Sequence, residues 1–211
     1  MPGEQRRFRL EVQPAFAPSG RGHVGEDGRG AVAAAGGLIT VAEDMRAAER
    51  IAAIGDVVAG PALAHKATAE GAVAAEALSG QPAAFDAQAV PEVIFTDPEI
   101  GTVGLTEAQA REAGMDPVAA TFPLGASGRA GTLGERDGFT RIVTDRATDR
   151  VVGVHIVGPH ASELVVGGAL AIELMAAPGD LAATIYPHPT LSEGLHEAAA
   201  LALGHPIHVS G

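Results

Sequence analysis

The chain has 211 residues, of which 46% are apolar and only 3% aromatic, with no tryptophan, no cysteine and a formal net charge of −12. That length suits one large domain or one and a half, and so acidic a chain excludes nucleic acid and an anionic membrane surface as partners. The lack of cysteine excludes a disulfide, a thiolate nucleophile and a cysteine metal site, and no run approaches the ~18 apolar residues of a membrane span.

Residues 1–37 lack hydrophobic periodicity, are rich in Gly, Pro and Arg, and read as a flexible arm. Gly20-Arg21-Gly22-His23-Val24-Gly25 fits G-x-G-x-x-G in letters. A dinucleotide loop needs a strand before it and a helix after it. Here Pro14 and Pro18 precede the glycines and Glu26-Asp27-Gly28-Arg29-Gly30 follows, so the match carries no nucleotide site. The first residues lead into Pro2 and Gly3 rather than an apolar signal core, which makes the cytoplasm the default location.

Residues 38–85 predict a strand–loop–helix unit. Leu38-Ile39-Thr40-Val41 and Arg50-Ile51-Ala52-Ala53-Ile54 read as strands, the second ending at Gly55-Asp56. An alanine-rich helix is expected from Ala62 to Leu78, stopped by Gly80. Residues 81–90 read as a linker.

Residues 90–211 predict an α+β domain, an antiparallel sheet with packed helices. The expected strands are Glu92–Phe95, Ile100–Leu105, Val118–Phe122, and a hairpin of Phe139–Thr144 with Arg150–Val157. Thr106-Glu107-Ala108-Gln109 has the form of a capping box, opening a helix that should stop at Gly114. Gly125 to Gly134 reads as a glycine-rich loop containing Arg129. Ser162 to Met175 is apolar almost all round, so a buried helix is expected, with Gly167 and Gly168 admitting another backbone at close range. Pro178-Gly179 breaks the chain before a short helix, and a last helix runs from Pro189 to Leu203.

Chemistry concentrates in Tyr186-Pro187-His188-Pro189-Thr190-Leu191-Ser192-Glu193. Proline restrains the residue before it, so His188 sits on a stiff corner, and Glu193 falls in a first helical turn from which it can reach back. A histidine oriented by a carboxylate is acid–base machinery; the same residues also suit a backbone-bonded corner with Glu193 complementing the helix dipole. Asp56, at the end of a strand beside Gly55, stands where α/β sheets meet ligands; it equally suits a turn aspartate. His205-Pro206-Ile207-His208 has loose metal spacing but no carboxylate near it in sequence, His155 reads as a structural strand residue, and His160 and His196 as surface residues.

Taken together these segments resemble the flavin-dependent pyridine nucleotide–disulfide oxidoreductases, and among them the dihydrolipoyl dehydrogenases. Ile51-Ala52-Ala53-Ile54-Gly55-Asp56-Val57-Val58 with Leu63-Ala64-His65-Lys66-Ala67 is similar to that family's last flavin-contacting segment. Phe95 to Thr106 is similar to the entry to its dimerisation domain. Gly128-Arg129-Ala130, Gly153 to Pro159 and His188 to Glu193 follow in the family's order.

The resemblance implies that 38–85 is a remnant of an FAD-binding domain and 90–211 a dimerisation domain. It implies that His188 is the acid–base group entering a partner subunit's site, that Glu193 orients it, and that His188-Pro189 is a cis peptide. Asp56 would bind the flavin ribityl chain, and backbone near Leu63, Ala64 and His65 would contact the flavin ring. The whole enzyme would pass electrons from dihydrolipoamide through a disulfide and FAD to NAD. Without cysteine, without a glycine-rich flavin loop and without an NAD fold, the chain is expected to form a homodimer that is inactive alone. Two other readings stand beside this one. In one the chain is a non-catalytic module, a stand-alone dimer or a subunit docking on a full-length relative or on a lipoyl acyltransferase complex; in the other it is half of a split oxidoreductase completed by a cysteine-bearing partner chain.

Overall fold

The structure, a computed structural model, describes residues 37–209. The arm expected over 1–37, with its glycine motif, lies outside the described residues save Gly37. The chain divides into two compact units, one ending at Asp86 and the other beginning at Ala87.

In the first unit β1 (Arg46–Ala48) pairs antiparallel with β2 (Ile51–Ala52), a 3-10 turn spans Gly55–Val57, and α1 spans Ala64–Leu78. The strand expected over 38–41 does not form. Ile39 makes a single bridge there, its N–H donating to Val57 O at 2.7 Å. The strand that does form, Arg46-Ala47-Ala48, has no β-branched residue and so no local signal. α1 starts at Ala64 rather than Ala62 because Leu63 is extended (φ −130°, ψ 133°), and it ends at Leu78 as expected. Its buried stripe is Lys66, Glu70, Ala74 and Ala77. Half of that stripe is charged, and the charges compensate: Lys66 Nζ lies 2.6 Å from Glu70 Oε1, with the side chains 4% and 2% exposed. A buried ion lacking such a partner costs several kcal/mol. Met45, Ala53, Val58 and Ala74 make the unit's small core.

The second unit is a five-stranded antiparallel sheet in the order β3-β4-β7-β6-β5. Its strands are β3 (Glu92–Ile94), β4 (Ile100–Gly104), β5 (Pro117–Pro123), β6 (Phe139–Asp145) and β7 (Arg150–Val157). The helices are α2 (Glu107–Glu112), α3 (Gly128–Leu133), α4 (Ala161–Glu173), α5 (Pro178–Ala183) and α6 (Glu193–Ala202). This is the α+β architecture expected from the sequence.

Strand alternation sorts the residues. Val103, Val154, Ile156, Ile142 and Phe122 meet Val165 of α4 and Leu195, Ala198 and Ala199 of α6 in one core. The opposite face carries a row of directly paired residues, Thr102, His155, Arg141 and Thr121. The β6–β7 hairpin is closed by Asp145, whose carboxylate accepts from Asp116 N–H (3.1 Å), Ala147 N–H (3.3 Å) and Thr148 Oγ1–H (2.8 Å).

Local signals set most helix ends. The Thr106 capping box is present: Gln109 N–H donates to Thr106 Oγ1 at 3.2 Å and Thr106 N–H to Gln109 Oε1 at 2.9 Å. The glycine-rich loop expected over 125–134 instead holds α3, which Ser127 caps through Ala130 N–H and Gly134 ends in the left-handed region. The final helix begins at Glu193 rather than Pro189, since 189–192 form a turn.

α4 departs most from expectation. Only Ala161, Val165, Gly168 and Ala171 are buried, and Val166, Leu170 and Leu174 are 56%, 56% and 74% exposed. Within this chain α4 is therefore apolar on a covered side and apolar on a bare side. Gly168 admits a side chain, not a backbone: a Cβ there would stand 2.6 Å from Val154 Cβ. Backbone approach occurs at Gly101, where a Cβ would stand 2.5 Å from Ala161 O at the start of α4. Gly101→Ala is expected to lift α4 from the sheet and cost about 1–3 kcal/mol. Gly179→Ala, with nothing within 4 Å of the new Cβ, should stay within about 0.5 kcal/mol of the parent; urea midpoints of the two variants test both.

Candidate functional site

His188 is held by a turn whose hydrogen bonds all close locally. Thr190 Oγ1 donates to Pro187 O at 2.7 Å, and Thr190 N–H donates to Glu193 Oε2 at 2.7 Å. Thr190 and Ser192 hydroxyls lie 2.8 Å apart. The other Glu193 oxygen, Oε1, is 2.9 Å from His188 Nδ1. One carboxylate thus fixes both the ring and the backbone two residues after it. The His188–Pro189 peptide is cis.

α6 places Glu193 by packing. Gly194 sits so close to β6 that a Cβ would lie 2.7 Å from Thr140 Oγ1, and Leu195 is buried in the core. Glu193 in turn stands in the first turn of α6, where a negative charge complements the helix dipole.

The geometry assigns tautomer and direction. With Nδ1–H donating to Glu193, the free nitrogen of a neutral ring is Nε2, and the side chain is 71% exposed while Glu193 is 22% exposed. A carboxylate behind an exposed ring is an arrangement that suits an oriented base. Burial acts to raise the Glu193 carboxyl. The Thr190 N–H, the hydrogen bond and charge of His188, and the charge of His208 outweigh it and hold the group below its ordinary range.

The residues expected around a flavin lie in the first unit. Asp56 stands exposed in the 3-10 turn, and Gly55 before it has its N–H held by Glu70 Oε2 at 2.7 Å. Gly55 takes φ +73°, a left-handed conformation that suits glycine. Leu63 is the N-cap of α1 and makes no side-chain cap, and Ala64 and His65 open the first turn on the exposed side. Asp56, Leu63, Ala64 and His65 therefore flank one loop, whereas His188 and Glu193 belong to the second unit.

Several groups escaped the sequence reading because their partners are remote. Glu197 is 3% exposed and binds His208 Nδ1 at 2.7 Å, so the histidine that seemed to lack a carboxylate has one on α6. Glu99, in the loop between β3 and β4, caps α4, accepting from Ser162 N–H (3.0 Å) and Oγ–H (2.7 Å). These bonds, the hydroxyl's first, hold the Glu99 carboxyl low. His155 Nε2 lies 3.2 Å from Leu105 O, and burial lowers its pKa, in keeping with a structural role. His196 is half-buried rather than on the surface, its ring 5.6 Å from that of Tyr186. Among the described residues no three His, Asp or Glu side chains gather at metal-binding spacing, and no helix is long and apolar enough to cross a membrane.

The family model for the pyridine nucleotide-disulphide oxidoreductase dimerisation domain matches residues 90–199. A dihydrolipoyl dehydrogenase of Halobacterium salinarum is 57% identical over 173 residues, which is 82% of this chain and 36% of that relative. One from Geobacillus stearothermophilus is 49% identical over 174 residues, 82% of this chain and 37% of the relative. Among solved structures, LpdA of Mycobacterium tuberculosis superposes with a TM-score of 0.75 at 30% identity, covering 82% of this chain and 38% of that one. The chain thus spans little more than a third of the proteins it matches, corresponding to their C-terminal region.

Because the Glu193 carboxyl is lowered on folding, its contribution to stability is present above its unfolded value of about 4.3 and is lost as pH falls from there through the folded value. Glu193→Gln should be less stable than the parent near neutrality, and the gap should close toward acid. Urea midpoints measured between about pH 3 and 7 check this. Match over residues 90–199, the shared sheet-and-helix architecture and the ordered motifs agree: the chain belongs to the pyridine nucleotide-disulphide oxidoreductase family through its dimerisation domain.

Proposed function

We propose that this chain supplies the dimerisation domain and the His188–Glu193 acid–base pair of an FAD-dependent dihydrolipoyl dehydrogenase. The supporting observation is the 2.9 Å bond between His188 Nδ1 and Glu193 Oε1 on an exposed corner, a bond that leaves Nε2 unengaged by Glu193. In the complete enzyme His188 takes a proton at Nε2 from a dithiol and returns it in the reverse direction. Glu193 holds the ring and stabilises its charged form. General acid–base assistance of this kind is worth about 10²–10⁴-fold.

The family works with FAD and NAD. Asp56 and the open first turn of α1 fit part of a flavin. An exposed carboxylate accepts from the hydroxyls of a ribityl chain, and a helix N-terminus without a side-chain cap favours an electron-rich ring carbonyl. Leu63, Ala64 and His65 would contact the ring. When bound, the flavin would carry the electron pair from dithiol toward NAD. The sequence has no cysteine to supply the redox disulfide. The redox disulfide would come from the rest of the enzyme, and the 211 residues by themselves are expected to give no turnover.

Homodimerisation is supported by the bare apolar side of α4: Val166, Leu170 and Leu174, with Met175 63% exposed beside them. Size-exclusion mass should be twice 21.2 kDa, and Leu170→Asp should reduce it to the monomer value with the circular dichroism unchanged. A parent that elutes as a monomer would sink the dimer reading.

The functional test is complementation. Mixed with the cysteine-bearing flavin and NAD portion of a dihydrolipoyl dehydrogenase, the chain should support NAD-linked lipoamide turnover, and alone none. His188→Gln should lower that turnover by about 10²–10⁴-fold without changing the dimer. Full turnover by the variant would remove His188 from the chemistry.

A further inference from the structure

Glu197 and His208 form a second imidazole–carboxylate pair beside the first. Glu197 follows Glu193 by one helical turn, so the two carboxylates share a face of α6. Both pairs line one small cavity, whose other wall is Phe122, Ala126, Ser127 and Gly128. Both oxygens of Glu197 are engaged by a single residue: Oε1 lies 2.7 Å from His208 Nδ1, and Oε2 accepts from His208 N–H at 3.3 Å. Val209, next in the chain, packs against the main core. The tail after α6 is thus seated on both sides of the imidazole. A carboxylate only 3% exposed is kept in a fold when a partner satisfies it, and here that partner is His208.

We propose that His208 is a positioning residue of the His188–Glu193 pair: Glu197 anchors its ring in the shared cavity, so that the charge this ring can carry stands beside Glu193. The inference rests on the acid–base reading of His188. Held as an anion, Glu193 keeps both of its acceptor bonds, to His188 Nδ1 and to Thr190 N–H. The charge of His208 acts on Glu193 in that sense, lowering its pKa alongside His188.

Other ionisable groups are placed away from this role. The β5-to-α3 wall of the cavity carries none. On α5, Asp180 accepts from Ala177 N–H at its own N-terminus, 2.8 Å away. On β6, Arg141 sits on the opposite face of the sheet and donates to Thr121 Oγ1 at 2.8 Å. The charges facing Glu193 in the cavity are those of His188, His208 and the Glu197 that holds His208.

Carboxyl-carbon NMR titration of the full chain tests this without any turnover. His208→Gln should raise the Glu193 midpoint by about 0.3 pH unit, the size of one unit charge acting across a solvated cavity. His208→Lys, which restores the charge without the imidazole, should bring the midpoint back. An unmoved midpoint in the Gln variant overturns the proposal. So does a Lys variant displaced as far as the Gln variant, since that result would mean the tail acts by packing alone. The titration can fail while complementation succeeds, and succeed while complementation fails, so this inference and the acid–base reading stand or fall separately.

Discussion

A single carboxylate organises the end of this domain. Glu193 divides its oxygens between the His188 ring and the Thr190 backbone, and the turn between them closes only because both acceptors come from one rigid group. The carboxylate stands where it does because α6 is pinned against β6: Gly194 leaves no room for a side chain over Thr140, and Leu195 sinks into the core. The orientation of an exposed imidazole is thus inherited from buried packing behind it. An exposed ring held in this way can meet another molecule while its support stays packed.

The same logic recurs where charges are buried. Glu70 neutralises Lys66 within the small core of the first unit and holds the Gly55 N–H, fixing the turn that presents Asp56. Glu99 replaces a missing side-chain cap on α4, whose N-cap residue His160 is left-handed and makes no cap of its own. Glu197 anchors the tail through His208. In each case an acid from one element satisfies polar groups of another, which sets geometry more than it adds stability. The apolar bare side of α4 belongs to a different economy: it is area that this chain alone leaves in water, and a second copy can cover it.

Much of the second unit was legible in the sequence. Alternation located β4, β5, β6 and β7 to within about a residue or two, and Thr106 with Gln109 marked the start of α2, because those signals are carried by neighbours in the chain. So was His188 with Glu193, since five residues and two prolines suffice to bring them together. The first unit was read less well. Arg46-Ala47-Ala48 forms a strand without any strand former, and Leu38 to Val41 looks like one and is not. Pairing there is decided by what lies alongside, and β propensity reports chiefly that environment.

By itself the sequence determined the chemistry available: no thiol, a histidine stiffened between prolines, a carboxylate within reach, and enough alternation to demand an antiparallel sheet. Only the tertiary structure decided which distant acids meet which bases. Glu197 and His208 are eleven residues apart, and Glu99 and Ser162 sixty-three. Nothing in local spacing ranks such pairs, because their partners are chosen by how the helices cross the sheet and by the requirement that each buried charge find an opposite or a donor.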